Sequence, residues 1–548
     1  MRCNIFLFVL VFFAGCSDHS GPSTQGNLDS AWREPDVDQR TLRRGIPGEP
    51  RTLDPQLADD EFSFPIIRDL FEGLTSEGPA GEVRLGVAER WEIDATGTSY
   101  KFKLRKNARW SNGDPVTAIE FVDGMRRAVD PKTTSGSAGL LATIKNASKV
   151  IRGTAKATDL GVLAIGENVV EINLEHPAPY ILQILSQPVC TPLHRPASGT
   201  AARPSPANGP PISNGPYKFL KWIPGAYVEL ARNEMYWNKS SVRIASIRYI
   251  NESSESTELK QYLAGELDLT YTIPMPDFDR VVAIYGTEIQ TAPILGTLFL
   301  ALDTTEPPLN GNKDLRKALS MTVERELISQ NVTRGVTPAY HFVPNGVRNF
   351  SSNSYAWANL SPRDRISEAQ SLYKGAGYSE MKPLRLKLFF NSNEGIRRLM
   401  IAIAAGWKQS LGVETELVSS EFRVFLEERK NRKNWDAIRL GWYADYDDPE
   451  SFLEIFRSSS NQNDAGYFNS DFEQLVNTAI REPNVDTRRA LLQQAESILL
   501  NDYPIIPIYF YNTRRLVKPY VGGATITPTN RTYSKYLFWK TLDQPDSH

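Results

Sequence analysis

The chain has 548 residues, 41% of them hydrophobic and 10% aromatic, and its 62 Lys and Arg against 64 Asp and Glu give a net charge of −2. This near-neutral balance of dispersed charges argues against nucleic acid or a polybasic membrane surface as a partner. The length favours about three or four domains, and three cysteines are too few for a cysteine-ligated zinc or iron–sulfur site.

Residues 1–15 have the features of a secretory signal peptide. A single charge, Arg2, precedes an apolar run over residues 5–13, and small residues follow it. The run is too short to span a bilayer as a helix. The polar residues 16–38 show no periodicity and are predicted to form a flexible tether.

The end of the signal resembles a bacterial lipobox, with the sequence Phe13-Ala14-Gly15-Cys16. This resemblance implies that Cys16 is lipidated and that the protein reaches the membrane through this N-terminal lipid. A plain secretory signal cleaved nearby is the alternative. In either case Cys190 is left without a partner, so no internal disulfide is expected.

Apolar spacing predicts the elements that follow the tether. Residues 64–74 carry apolar side chains three and four positions apart, as on one face of a helix, and residues 100–105 alternate as in a half-exposed strand. Thr117, with Glu120 three positions later, forms a capping-box pattern. This pattern predicts a helix over residues 117–129.

A stretch rich in Pro, Ser and Ala at residues 196–211 marks a connection between domains. Strands at residues 247–250 and 267–271, with a helix at 257–264 between them, predict an α/β sheet. The second half of the chain is predicted to contain strands at 298–303, 384–390, 413–418 and 505–511, and helices at 314–335, 395–411, 422–430 and 486–501.

The strongest candidate for a binding site is residues 439–449, Arg-Leu-Gly-Trp-Tyr-Ala-Asp-Tyr-Asp-Asp-Pro. It places Arg439, Trp442, Tyr443 and Asp445 within seven residues, a mixture that suits a ligand with charged ends and an apolar body. The apolar residues before it predict a buried strand, and ligand sites favour the carboxyl ends of such strands. The alternative is structural, with both aromatics in the core and the acidic residues in a solvated turn.

Several motifs resemble one known family, the oligopeptide-binding proteins among the solute-binding proteins of peptide ABC transporters (family 5). The resemblance is carried by Glu-Pro-x-Thr-Leu-Asp-Pro at residues 49–55, Leu-x-Lys-Asn-Ala-x-Trp-Ser-Asn-Gly-Asp-Pro-Val-Thr-Ala at 104–118 and Trp-x-Ala-Asp-Tyr-x-Asp-Pro at 442–449. The segment 507–523 is similar to the oligopeptide-binding branch in particular. The resemblance covers roughly residues 41–540.

This resemblance implies an exported protein that binds short peptides on the periplasmic or cell-envelope side and delivers them to ABC transporter permease subunits. It implies a monomer that needs no cofactor, no metal and no nucleic acid. Scavenging of cell-wall (murein) peptides and peptide sensing use the same fold and remain alternatives.

The resemblance also implies roles for individual residues. Asp445 matches the carboxylate that receives the peptide's α-ammonium, a charge that would be costly to bury unpaired. Trp442 and its neighbour Tyr443 match the residues that line side-chain pockets. Arg439 and Arg429 match basic residues that receive the carboxylate end.

Two further roles concern the middle of the bound peptide. Phe422 matches an aromatic residue that the family places over the ligand. The main chain from Gly441 to Tyr443 would bond the peptide backbone as a neighbouring strand does, which reads no side-chain sequence.

The implied fold is α/β and periplasmic-binding-protein-like, with three domains and a ligand cleft between two α/β lobes that close by hinge motion. The predicted division assigns residues 39–74, 206–296 and 506–548 to lobe I, residues 75–205 to an inserted small domain, and residues 297–505 to lobe II.

The sequence offers little for an enzyme. It contains no Gly-x-Ser-x-Gly, His-Glu-x-x-His, phosphate-loop or Rossmann glycine pattern. Its five histidines are scattered, and Asp445, Asp447 and Asp448 lie too close in sequence for a glycosidase pair. We therefore expect a binding protein, with a nickel or haem binder or an enzyme as less favoured alternatives.

Overall fold

The computed structural model describes residues 40–195, 211–431 and 435–540. The predicted signal peptide, the whole of the predicted tether with the lipidation site Cys16, and all but the last residue of the predicted connection at 196–211 lie outside the described residues.

Strands occur along the whole of the described chain. They are β1 (Thr41–Ile46), β2 (Thr75–Glu77), β3 (Val83–Leu85), β4 (Ala88–Ile93), β5 (Ser99–Leu104), β6 (Val162–Ile165), β7 (Val169–Asn173), β8 (Tyr217–Ile223), β9 (Tyr227–Arg232), β10 (Ser246–Asn251), β11 (Ile289–Leu302), β12 (Thr337–Pro338), β13 (Arg385–Asn391), β14 (Glu414–Ser420), β15 (Ala437–Tyr443), β16 (Ile505–Leu516), β17 (Val521–Gly522) and β18 (Phe538–Trp539).

The α-helices alternate with these strands through most of the chain. They are α1 (Ser63–Leu70), α2 (Ala118–Val129), α3 (Ala147–Ile151), α4 (Ile181–Ile184), α5 (Glu255–Leu263), α6 (Phe278–Tyr285), α7 (Lys313–Met321), α8 (Arg325–Leu327), α9 (Pro362–Gly375), α10 (Glu394–Leu411), α11 (Phe422–Asn431), α12 (Glu450–Leu453), α13 (Ser470–Arg481) and α14 (Val485–Asp502).

Three larger sheets organise the fold. One has the order β1-β10-β9-β8, with β1 parallel to β10, so the start of the described chain joins strands from beyond residue 211. The second, β4-β5-β7-β6, is antiparallel and lies within residues 75–205. The third has the order β12-β16-β11-β15-β13-β14 and carries the predicted binding motif on β15.

The buried apolar side chains form two large clusters. One contains residues between 42 and 269 together with residues 517–537, and the other contains residues between 295 and 509. From here on, lobe I means the first of these packed units, which includes residues 75–205, and lobe II means the second. The sheet within residues 75–205 shares the core of lobe I. Tyr446 belongs to this core although its neighbours in the sequence pack in lobe II.

Two long strands run from one lobe to the other. In β11 and β16, Ile289 to Pro293 pair with Leu516 to Asn512, and after a register shift Thr297 to Ala301 pair with Phe510 to Ile505. The predicted boundary at 296/297 falls inside β11, and the boundary at 505/506 falls at the start of β16. The lobes are therefore joined by continuous paired strands.

Two local predictions are wrong. The helix predicted at 314–335 is interrupted after Met321 and resumes as α8 at Arg325, followed by a π-helical segment, Ile328–Val332. At the interruption the fully buried side chain of Arg325 donates hydrogen bonds to the carbonyls of Ala339 and Pro507, 2.8 Å away in each case. The strand predicted at 267–271 is reduced to isolated bridges at Leu269. Tertiary hydrogen bonds override the local pattern at both places.

The helix predicted at 117–129 is confirmed as α2, and its capping box is present. The Glu120 carboxylate accepts from the backbone N–H of Thr117 at 2.8 Å and also from the indole of the buried Trp110 at 3.1 Å. One carboxylate thus begins the helix and anchors the turn that precedes it.

Candidate ligand-binding site

β15 presents an unpaired edge where it leaves the sheet. It pairs with β11 along its whole length, from Ala437 to Tyr443, but with β13 only at Ala437 and Ile438. In the described part of the chain, no strand occupies the other edge of residues 439–443. An extended peptide could therefore bond to this edge.

A cavity of about 670 Å³ lies next to this edge, between the two lobes. Lobe I contributes residues from α1 and from the segment after Leu269, and lobe II contributes residues from β15, β16 and α10. The lining includes Glu61, Phe64, Arg68, Tyr271, Ile396, Arg398, Arg439, Tyr443, Asp445, Tyr509, Tyr511, Arg514 and Arg531. Its size lies within the range of ligand pockets for small molecules and short peptides.

Asp445 lines this cavity, and its main chain is held firmly. Its N–H donates to the Ser451 hydroxyl at 3.1 Å, and its carbonyl accepts from Arg531 Nη2 at 3.2 Å. Burial raises the pKa of the Asp445 carboxyl to about 6, although Arg531 opposes the shift. Among the described residues no side chain bonds this carboxylate, so it is available to a cation of the ligand.

Arg439 and Tyr443 also line the cavity. The Arg439 guanidinium donates to Tyr511 Oη at 3.0 Å and to Asn391 Oδ1 at 3.4 Å, and within the described chain its buried Nε finds no acceptor. The Tyr443 ring is 50% exposed and stacks on Tyr511 with centroids 4.6 Å apart. A cation and an exposed ring thus lie on the same wall of the cavity as Asp445.

Trp442 and Gly441 are placed differently. Trp442 packs against the core of lobe II, and its indole N–H donates to the Ser451 carbonyl at 2.6 Å. Gly441 lies on the exposed edge, where a Cβ would stand 2.5 Å from Tyr511 Oη. Neither residue lines the cavity. The side chain of Trp442 instead packs against the core, which is the structural alternative predicted from the sequence, and the absence of a side chain at Gly441 leaves space for the Tyr511 hydroxyl.

The structure does not bring Arg429 or Phe422 to the cavity. The Arg429 guanidinium is engaged in a two-pronged ion pair with Asp464, at 2.9 and 2.7 Å. Phe422 lies at the start of α11 with 55% of its surface exposed, and its ring lies 6.4 Å from that of Phe425. Their roles as ligand contacts stay predictions.

The acidic turn after Asp445 is not a solvated loop. Asp448 is buried and accepts from both terminal nitrogens of Arg488, at 2.7 and 2.9 Å, and Glu450 also accepts from Arg488. Asp447 bonds the backbone N–H of Arg348 at 2.8 Å. The turn is therefore a rigid support for Asp445.

The sequence pattern did not reveal several cavity residues. Arg531, Arg68 and Tyr271 come from segments far from the motif, and none lies in a local pattern that signals binding, whereas Tyr509 lies in the same segment as Tyr511. Tyr511 lies in the aromatic segment 507–523 that carries part of the family resemblance, which is the one signal that could have led to it.

A metal site has little support in the described residues, where no group of three or more His, Cys, Asp and Glu side chains is arranged to hold an ion. Within the same residues, no helix combines the length and apolar character needed to span a membrane.

A cavity enclosed between two α/β lobes, with a free carboxylate and an open strand edge, defines the class of proteins that close around a small solute. The chain belongs to the bacterial extracellular solute-binding proteins, family 5, whose family model ("family 5 Middle") matches residues 82–464. The family prediction made from the motifs is thereby confirmed.

Relatives match over nearly the whole chain. The periplasmic murein peptide-binding protein MppA of Escherichia coli is 33% identical over 92% of this chain and 94% of its own length. The periplasmic oligopeptide-binding protein OppA of Salmonella typhimurium is 34% identical, over 92% and 93% respectively.

A solved structure confirms the predicted α/β fold. The structure of Burkholderia pseudomallei OppA superposes with a TM-score of 0.80 at 34% identity, covering 92% of this chain and all of that one.

Proposed function

We propose that this protein binds oligopeptides outside the cytoplasm and delivers them to the permease of an ABC importer. The observation that carries the proposal is the Asp445 carboxylate, which faces the cavity without a bonding partner among the described residues. The similarity to oligopeptide- and murein peptide-binding proteins supports it.

The chemistry of the cavity suits a zwitterion. A carboxylate in an enclosed site tolerates burial when a cation pairs with it, and the α-ammonium of a peptide is such a cation. Arg439 offers a guanidinium with an unused donor on the same wall, which suits a carboxylate of the ligand.

The peptide backbone would be bound by the main chain. The open edge of β15 over residues 439–443 supplies donors and acceptors in strand geometry, and such bonds are independent of the peptide's sequence. Gly441 and Tyr443 are both exposed on this edge, so a peptide can approach it.

We further propose that the protein is a monomer, that it releases its peptide unchanged rather than as an enzyme, and that it is anchored through lipid on Cys16. The lipobox-like sequence supports the anchor, and metabolic labelling with a fatty acid in wild type and Cys16→Ser tests it. Scavenging of murein peptides is one form of the same peptide-binding function.

The function is tested by the small molecules that copurify with the protein. Mass spectrometry after denaturation should recover mixed short peptides from wild type and few from Asp445→Ala. Glu380→Ala is the matched control, because this exposed carboxylate of lobe II does not line the cavity and lies outside the turn that supports Asp445. A single non-peptide compound, or equal peptide loads from wild type and Asp445→Ala, would overturn the assignment.

A further inference from the structure

A second, smaller cavity of about 70 Å³ adjoins the peptide cavity. The two share Arg68, Tyr271, Thr513 and Arg531 among their lining residues. The lining of the smaller one includes four arginines, which we call the arginine pocket: Arg44, Arg68, Arg515 and Arg531. Its lining, as far as the structure describes it, contains no Asp or Glu.

Three of these arginines, Arg44, Arg68 and Arg515, form no ion pair with a carboxylate in the described chain; Arg44 donates to the Ser534 hydroxyl and to the Thr532 carbonyl. Arg68 lies against the ring of Phe64, at 5.2 Å, and its buried Nε has no acceptor. Arg515 donates only to neutral oxygens, among them Gln290 Oε1 at 2.9 Å and the Ala524 carbonyl at 2.7 Å.

The surroundings lower the pKa of both Arg68 and Arg515. Burial, with help from Arg531, lowers the pKa of Arg68 to about 10. Burial and the nearby Arg44 lower the pKa of Arg515 to about 9. Both guanidinium groups remain cationic at neutral pH, so the pocket holds positive charge that the protein itself does not neutralise.

The carboxylates nearest to the pocket are already engaged. Glu77 pairs with Arg531 at 2.7 Å and also accepts from Tyr533 at 2.8 Å. Asp69 accepts from Tyr249 at 2.6 Å, and Glu258 accepts from the backbone N–H of Tyr271 at 2.6 Å. Glu77 offsets part of the charge on Arg68 through space, but none of these carboxylates forms an ion pair with Arg68 or Arg515.

The pocket lies beside the proposed ammonium site. Arg531 lines both cavities and donates through Nη2 to the carbonyl of Asp445 at 3.2 Å. A peptide with its amine at Asp445 would therefore hold the side chain of its first residue close to the arginine pocket. A water needs about 10–15 Å³ of such a cavity, so a carboxylate or phosphate group fits.

We propose, resting on the peptide-binding function above, that the arginine pocket receives an anionic side chain next to the peptide's amine, and that the protein prefers peptides that begin with an acidic residue. Guanidinium groups bond carboxylate and phosphate oxygens through paired donors. The ligand's anion would supply the negatively charged partner that Arg68 and Arg515 lack within the described chain.

The test compares dissociation constants by calorimetry for matched tripeptides. Asp-Ala-Ala is paired with Asn-Ala-Ala, Glu-Ala-Ala with Met-Ala-Ala, and phosphoserine-Ala-Ala with Ser-Ala-Ala. We expect at least one acidic peptide to bind wild type about tenfold or more tightly than its neutral match. Comparison of the pairs tells a carboxylate preference from a phosphate preference.

Arg68→Met keeps the apolar stem against Phe64 and removes the charge, so the ratio of affinities between each acidic peptide and its neutral match should fall to about one, whatever happens to the affinity for the neutral peptides themselves. Arg90→Met is the matched control, since it removes an exposed arginine of the same lobe that pairs only with Glu92. The wild-type comparison stands even if Arg68→Met does not fold.

The two proposals fail in different ways. Equal binding of acidic and neutral peptides by wild type would overturn the arginine pocket's role and leave peptide binding intact. A preference that persists in Arg68→Met would also overturn it. If wild type bound none of the peptides, the proposed function itself would fall.

Discussion

The ring of Tyr180 stacks on the ring of Tyr446, with centroids 4.2 Å apart and planes inclined by 18°. Tyr180 comes from lobe I, and Tyr446 directly follows Asp445 but is buried in the core of lobe I. The Tyr180 hydroxyl donates to Glu450 Oε1 at 2.8 Å, and Gln183 Oε1 accepts from the N–H of Asp447 at 2.6 Å. The binding motif is thus also a contact between the lobes.

Loss of this stacking should weaken peptide binding without touching the cavity. Tyr446→Ala removes a buried aromatic pair, worth about 0.5–1.5 kcal/mol beyond its buried area, and favours separation of the lobes. We expect the dissociation constant for a tripeptide to rise about tenfold and the radius of gyration of the ligand-free protein to increase in X-ray scattering. Tyr446→Phe keeps the stacked ring and should behave as wild type. Unchanged affinity in Tyr446→Ala would rule out this role.

The ligand-free protein should become more stable when Asp445 loses its charge. Burial raises the pKa of Asp445 from 3.8 to about 6, so between these pH values the folded protein binds a proton that the unfolded chain does not. The stability contributed by this group therefore decreases as pH rises through that window. Asp445→Asn should raise the Tm of ligand-free protein at pH 7.5 and have little effect at pH 4.

Differential scanning fluorimetry of carefully delipidated, peptide-free protein at both pH values measures this change. A Tm that falls at pH 7.5, or a gain of the same size at both pH values, would contradict the prediction. A carboxylate whose charge destabilises the empty protein and is paired by the ligand is consistent with a ligand-binding role.

Peptide affinity should decrease on acidification. The ionised Asp445 pairs with the ammonium, and protonation below about pH 6 removes that pairing. For tri-alanine we expect the highest affinity near pH 7, because the α-amino group of the peptide itself loses its proton at about pH 8, and a dissociation constant that rises by up to about tenfold per pH unit below 6. In Asp445→Asn the affinity should be weak and nearly independent of pH. A profile in the variant that matches wild type would assign the titration to another group.

The acidic turn that supports Asp445 should lose stability when one of its buried charges is removed. Asp448 is buried with Arg488, and leaving a buried charge uncompensated costs about 3–5 kcal/mol; Glu450 still pairs with Arg488, so we expect the lower end. Asp447 pairs with the half-exposed Arg348 at 3.5 Å, a contact worth roughly 0–1 kcal/mol. Asp448→Asn should therefore lower the Tm more than Asp447→Asn does, as thermal unfolding of the two variants would measure. Equal decreases in Tm would contradict this ranking.

The features that the sequence predicted well depend on neighbours in the chain. The Thr117 and Glu120 pair predicted α2 correctly because both members of a capping box lie in one turn. The helix predicted at 395–411 is confirmed as α10, ended by Gly412 in the left-handed conformation. These elements are encoded by periodicity and by residues a few positions apart.

The candidate site was predicted only in part. Asp445, Arg439 and Tyr443 were identified because they lie on one strand end, and the structure brings them to one cavity. Arg429 matched the family's pattern, yet its pairing with Asp464 could not be seen from the local sequence. The break after Met321 escaped prediction for the same reason, since the partners of Arg325 are distant.

The sequence by itself determined the family, the α/β class, the periodic helices and strands, and the strand end that carries Asp445, because each of these is written in short-range patterns. Only the tertiary structure decided that Arg68 and Arg531 line the same cavity as Asp445, that Trp442 packs against the core of lobe II, and that Tyr446 joins the core of lobe I. Such approaches depend on how separate segments pack, and a buried charge acquires its partner, or lacks one, only when packing has excluded water.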